Sequence, residues 1–205
     1  MQSRTIGYYF TLLSPWAYIG HALFKLIAAR HGLKIDYRPV SLGTVFPATG
    51  GLPLAQRAPA RQFYRFVELQ RWREKRGVEL VLRPKYFPCN IALADKLAYA
   101  IVAAGGDPDA YVAAVYKACW VQDRDCGDPA VLAEILAATG YAAGLLETAG
   151  REQCATLYAQ ATDAAIKAGV FGSPSYVLDG EIFWGQDRLE LLEDALATGR
   201  AAFRP

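Results

Sequence analysis

The hydrophobic and polar positions change period along the chain. From Thr5 to Leu12 the residues are rich in Tyr, Phe and Ile with little alternation, the pattern of a buried strand. Ser14-Pro15 follows and is a helix-start signal, since serine caps and proline suits the first helical position. From Trp16 to Arg30 the apolar residues Ile19, Leu23, Phe24 and Ile27 recur at helical spacing, and Gly32 closes that helix. Lys34 to Val40 alternates, with Ile35, Tyr37 and Pro39 against Asp36, Arg38 and Val40, which predicts a second strand. Two strands joined through a helix of this length favour parallel pairing.

A segment rich in Gly and Pro, Ser41 to Pro59, reads as a loop. Beyond it the character changes to Ala, Leu and charged residues. Helices are predicted over Arg61 to Arg76, with Phe63, Phe66, Val67 and Leu69 against a basic face. Further helices are predicted over Asn90 to Ala104, Asp109 to Val121, Pro129 to Ala138 and Arg151 to Lys167. Strand signals return at Ser175 to Leu178 and Glu181 to Trp184, joined by Asp179-Gly180, a type I′ hairpin signal. Arg188 to Leu196 is amphipathic through Leu189, Leu192 and Leu196 and closes the chain as a helix. The order is βαβ, a helical block, then ββα. That is an α/β, thioredoxin-like arrangement with an all-helical domain inserted after the second strand: residues 1–50 and 165–205 form the first part, 51–164 the insertion.

Composition narrows the function. The chain has 205 residues and a formal net charge of +2, too balanced for a general nucleic-acid or membrane-surface binder. No stretch is apolar enough to span a bilayer, and no signal-peptide pattern is visible, which points to a cytoplasmic setting. Cys89, Cys119, Cys126 and Cys154 form no C-x-x-C pair and no zinc spacing, so they are expected to be buried or half-buried free thiols. His21 and His31 lie ten residues apart around one helix and read as surface or helix-face residues; no metal site or Ser-His triad is expected from them.

Three short segments carry candidate chemistry. In the thioredoxin topology a reactive cysteine sits after the first strand, where helix N–H groups and the dipole stabilise a thiolate. Here Ser14 holds that slot and Ala17 replaces a second cysteine, so disulfide exchange by this route is lost. The slot suits a thiolate supplied from outside. A thiol with pKa near ~8.5 needs about 2 units of lowering, or about 2.7 kcal/mol, to be mostly ionised at neutral pH. One hydrogen bond to a charged acceptor gives about 1.5–3 kcal/mol, and a helix terminus about 0.3–1 kcal/mol more. The plain alternative is that Ser14 only caps the helix. A serine-hydrolase reading lacks both the G-x-S-x-G elbow and a base.

The second segment is Gly172-Ser173-Pro174. Pro174 stands directly before the Ser175–Leu178 strand, where a cis bond would turn the backbone of Ser173 toward Ser14. The Ser173 N–H and C=O would then pair in strand fashion with a cysteinyl backbone; an ordinary trans-proline at a strand start is the alternative. The third segment is Trp184-Gly185-Gln186-Asp187-Arg188, which ends the last strand and opens the last helix. Its N–H groups suit a carboxylate and Asp187 an ammonium, together an α-amino acid head group such as the γ-glutamyl end of glutathione. Simple capping is the alternative, and the two uses can coexist.

These residues resemble the 2-hydroxychromene-2-carboxylate isomerase and kappa-class glutathione transferase family. The resemblance lies in YYFTLLSPWAY at 8–18, YRPVSLGTVF at 37–46 and GVFGSPSYVLDGEIFWGQDRLELL at 169–192, with APARQFYRFVELQRW and RPKYFPCN similar as well, and covers essentially the whole chain. It implies glutathione as cofactor, Ser14 as the catalytic group that holds its sulfur, and Ser173, Pro174, Trp184, Gly185, Gln186 and Asp187 as further glutathione contacts. It also implies a homodimer, with an electrophile bound between the two domains; Phe46, Tyr86, Pro88 and Asn90 are the candidate substrate residues. The implied reaction is glutathione-dependent isomerisation of an aromatic carboxylate in aromatic-compound breakdown. Conjugation of glutathione to another electrophile, or binding without catalysis, are the alternatives. One departure stands out: where many family members carry a lysine after the Phe of GTVF, this chain has Pro47. Arg57, Arg61, Arg83 and Lys85 are candidates to replace that charge, or are plain solvated cations.

Overall fold

The computed structural model describes residues 4–204. Met1 to Ser3 and Pro205, read from sequence as the ends of the thioredoxin-like part, lie outside the described residues. Strand β1 (Thr5–Phe10) runs into helix α1 (Pro15–Arg30), and the chain returns as β2 (Lys34–Pro39), parallel to β1 with Tyr8 opposite Tyr37. Far along the chain, β3 (Ser175–Leu178) pairs antiparallel with the other edge of β1, and β4 (Glu181–Trp184) antiparallel with β3, giving the sheet order β2-β1-β3-β4. Helix α9 (Leu189–Thr198) follows. The expected βαβ…ββα frame and parallel β1–β2 pairing are present. The hairpin turn has φ of 50° at Asp179 and 83° at Gly180, both positive as a type I′ turn requires.

Between β2 and β3 the chain is helical: α2 (Leu42–Thr49), α3 (Pro59–Arg76), α4 (Ala92–Ala103), α5 (Asp109–Trp120), α6 (Pro129–Ala138), α7 (Leu145–Gly150) and α8 (Glu152–Lys167). Two differ from the sequence expectation. The segment after Ser41 is not all loop: α2 forms there, and Gly50 closes it in the left-handed region at φ 78°. Pro47 removes one helical donor, and three glycines punctuate the segment, so its helical period is too short to read. Helix α7 was likewise unread. Strand β1 is shorter than expected because Thr11 N–H leaves the ladder for Ser173 Oγ, at 3.1 Å. In α3 Leu69 is buried and Phe66 partly so, but Phe63, expected on the apolar face, is 72% exposed.

The alternation of β1 explains how the layers meet. Ile6, Tyr8 and Phe10 face one side and join Phe24 and Ile27 of α1, Tyr116 of α5, Tyr176 of β3 and Leu189 of α9. Tyr9 faces the other side, with Ala165 of α8 and Val170. Tyr8 and Tyr176 are register partners on neighbouring strands, and their rings stack with centroids 5.4 Å apart. His21 lies in this layer and is buried rather than solvated; burial lowers its pKa to about 4, so it packs as a neutral ring. The core therefore clamps the start of α1 between the sheet and the helical block. No described helix is long and apolar enough to cross a membrane.

Candidate functional site

The site begins where β1 ends. Leaving the ladder after Phe10, the chain turns through Thr11 to Leu13, and Ser14 N donates to Thr11 O at 3.0 Å. Ser14 takes extended backbone angles and caps α1: its Oγ accepts from Ala17 N at 3.2 Å. The same hydroxyl donates to Ser173 O at 3.1 Å. The oxygen therefore serves the cap while the proton points across to β3, so capping and donation coexist in one side chain. Ser14 is 5% exposed, and water competes little for that proton.

Two cis prolines occur among the described residues, after Phe87 and after Ser173. The second stands where the sequence left cis and trans open, and there the Ser173 carbonyl lies within hydrogen-bond reach of Ser14. The turn is pinned on both sides: Thr11 N donates to Ser173 Oγ, and Ser175 Oγ donates to Gly172 O at 2.8 Å. Gly185 N donates to Pro174 O at 2.9 Å, which joins the third segment to the second. The indole of Trp184, 49% exposed, lies over Gly172 and against Phe171, with ring centroids 4.6 Å apart. A Cβ on Gly172 would run into the indole Nε1, so a larger residue there must displace the indole or the turn. Gly185 has φ 98°, again a glycine conformation.

Gln186 is 2% exposed, and its Oε1 accepts from Arg76 Nε at 2.9 Å, while Arg76 Nη2 donates to Gln186 O at 3.0 Å. Its side chain is thus committed to the end of α3. The segment does not enter α9 directly: Gln186–Arg188 form a 3-10 turn first. Asp187 stays at the surface with one carboxylate oxygen on Arg188 Nη1 at 2.6 Å. The three predicted segments are thereby brought together: Ser14 bonds to Ser173, and Pro174 bonds to Gly185.

Of the candidate substrate residues, Phe46 is half-buried beneath Arg57, 5.8 Å from its ring. Tyr86, Pro88 and Asn90 are exposed, and Asn90 caps its own turn by accepting from Ala92 N. None of these four lines the cavity of about 190 Å³ beside the Ser14 loop; Phe87, between Tyr86 and Pro88, does. A larger groove of about 480 Å³ runs along the outside of β4 and shares Trp184 and Arg188 with the three predicted segments. The four cysteines are free, three buried and Cys89 half-buried, with burial pushing Cys89 up to about 11. No metal-binding cluster occurs among the described residues.

One residue that sequence reasoning missed supports the site from below. Asp95 of α4 is 0% exposed; it accepts from Thr11 Oγ1 at 2.8 Å, Leu12 N at 2.9 Å and Tyr158 OH at 3.1 Å. It fixes the turn that presents Ser14. Burial raises its pKa from 3.8 to about 7, opposed by those hydrogen bonds. Arg76 was missed too. Neither carries a local signal, because each partner lies scores of residues away.

Comparison with known proteins agrees with this geometry. Residues 5–197 match the family of DSBA-like thioredoxin domains. A 2-hydroxychromene-2-carboxylate isomerase of Sphingobium xenophagum is 31% identical over 95% of this chain and 98% of its own length. One from Pseudomonas putida is 32% identical over 93% of each. A solved 2-hydroxychromene-2-carboxylate isomerase superposes with a TM-score of 0.78 at 29% identity, covering 95% of both chains. With a cap serine in the cysteine slot and the cis-proline turn facing it, the chain belongs to the DSBA-like thioredoxin-domain family, on its 2-hydroxychromene-2-carboxylate isomerase branch.

Proposed function

We propose that the chain is a glutathione-dependent isomerase converting 2-hydroxychromene-2-carboxylate to trans-o-hydroxybenzylidenepyruvate. The observation that carries this reading is the Ser14 hydroxyl, held by Ala17 N and aimed at Ser173 O beside a cis-proline. The residues present fit the cofactor. Glutathione, when bound, would supply a thiolate able to add reversibly to a conjugated double bond, which frees that bond to rotate once the chromene ring has opened. Ser14 turns its proton from Ser173 O to the sulfur, a charge-assisted bond of about 1.5–3 kcal/mol. The freed Ser173 carbonyl then accepts a peptide N–H from the ligand, so no buried acceptor is left unpaired. The Ala17 N–H keeps the Ser14 oxygen in place throughout. Trp184 walls the ligand, and the Gln186–Asp187 turn offers backbone N–H groups to a carboxylate and the Asp187 carboxylate to an ammonium.

The test is turnover of 2-hydroxychromene-2-carboxylate with and without glutathione, with the thiol counted before and after. The proposal expects turnover only with glutathione and no loss of thiol. Equal turnover without it refutes the cofactor, and stoichiometric thiol consumption would mark the chain as a transferase instead.

A further inference from the structure

The turn that presents Ser14 rests on a buried acid, and no cation pairs with that acid among the described residues. The two oxygens of Asp95, on α4, take three donors: Thr11 Oγ1 at 2.8 Å, Leu12 N at 2.9 Å and, from α8, Tyr158 OH at 3.1 Å. The titratable groups that face it are phenols and a thiol: Tyr99 on α4, Tyr111 and Tyr116 on α5, Tyr158 on α8, and Cys89 ahead of α4. Burial pushes Cys89 up to about 11 and raises the four phenols, so all five stay neutral near pH 7. Asp95 itself is raised by burial to about 7, against the pull of its three donors.

Its partners suit either protonation state. A hydroxyl donates or accepts, so Thr11 Oγ1 and Tyr158 OH can serve a carboxylate or a carboxylic acid, whereas an arginine in their place would pin the charge. The Leu12 N–H finds an acceptor oxygen in both states. The turn also sets the group electrically close to the site. Leu12 and Ser14 are two residues apart, and Thr11 N–H ties the same turn to Ser173 Oγ. A negative charge held by the Ser14 hydroxyl therefore lies within roughly 10 Å of the carboxylate. Two like charges at that range in a protein move each other's titration by about one pH unit.

We propose that Asp95 is the proton acceptor coupled to thiol ionisation at Ser14: as a bound thiol becomes a thiolate, Asp95 passes from carboxylate to carboxylic acid. The S–H bond breaks with its electron pair left on sulfur, an O–H bond forms at Asp95, and water carries the proton between them. One negative charge then replaces another, and the turn never has to hold both. Asp95 touches neither the thiol nor the reacting atoms; it is a positioning residue that acts through Thr11 and Leu12. The inference rests on the proposed glutathione reading of the site.

Calorimetric titration of glutathione at pH 7 in two buffers of different ionisation enthalpy tests it, because the difference counts the protons released per ligand bound. Thiol ionisation alone would release about 0.7 of a proton there, and uptake by Asp95 cancels about half of that. Asp95→Asn should therefore release about twofold more than the unaltered chain, while thiolate absorbance rises in both. Should that variant not fold, Tyr158→Phe removes one donor, leaves Asp95 protonated before binding, and should shift the release the same way by less. Equal release by the unaltered chain and the folded variant, with thiolate absorbance rising in both, would overturn the proposal and leave the glutathione reading standing. Proton uptake with S-methylglutathione, which has no thiol to ionise, would also overturn it, since binding rather than charge would then drive Asp95. No rise in thiolate absorbance in the unaltered chain would end the glutathione reading, and this inference with it.

Discussion

The Ser14 turn and the arginine cavity share a wall at Trp120 yet are built in opposite ways. Around Ser14 the side chains of Ser14, Thr11, Ser173 and Asp95 all have partners inside the protein. In the cavity Arg65 and Arg83 face aromatic rings, and neither has an ion pair among the described residues. On the proposed reading the first is preorganised: Ala17 N–H already holds the Ser14 oxygen, so only the hydroxyl proton has to turn toward a thiolate. The second leaves its positive charge unmatched by any ion pair among the described residues. On the proposed reading the chemistry lies at the paired end.

The largest expected break in this comparison is Gly172→Ala. Its Cβ meets the Trp184 indole, so either Trp184 swings out or the Ser173-Pro174 turn moves from Ser14. Glutathione affinity and turnover should each fall by about tenfold or more, in line with a misplaced catalytic group. Unchanged glutathione affinity and turnover in this variant would contradict it.

A smaller effect sharpens the role of Asp95. Its folded pKa is raised from 3.8 to about 7, so its contribution to stability is full below pH 3.8 and is lost as pH rises through about 7. Asparagine resembles the neutral form and does not titrate. The stability of Asp95→Asn relative to the unaltered chain should therefore improve between pH 5 and pH 8, by roughly 1–3 kcal/mol. Urea unfolding at the two pH values checks it; a difference independent of pH would mean that Asp95 stays charged under the Ser14 turn.

Much of the paired region was legible in the sequence because its signals are local. Ser14-Pro15 announces a capped helix start, Pro174 stands against a strand, and Asp179-Gly180 sets the hairpin that returns β4 to Pro174. What was not legible depends on distance. Asp95 reaches Thr11 and Leu12 only after α4 packs under the turn, and Arg76 reaches Gln186 across the junction of α3 with the 3-10 turn. Gln186 reads as a ligand residue in a polar motif; its side chain is buried against Arg76, which leaves its backbone N–H for a ligand. The cavity was harder still. Arg65 is one of several arginines on a basic helix, and only the folded chain shows that Glu68 of the same helix pairs with Arg71 instead. Exposed Tyr86 and inward Phe87 are adjacent aromatics that no period of two or 3.6 separates in a short irregular stretch.

The central claim is that Ser14 stabilises a borrowed thiolate. Glutathione should be titrated into the unaltered chain and into Ser14→Ala at neutral pH, following the ultraviolet absorbance of the thiolate. The account predicts that both bind glutathione, that ionisation rises on binding only when Ser14 is present, and that turnover falls by about tenfold to a hundredfold without it. Equal thiolate absorbance in the two proteins, or full activity in Ser14→Ala, would contradict it.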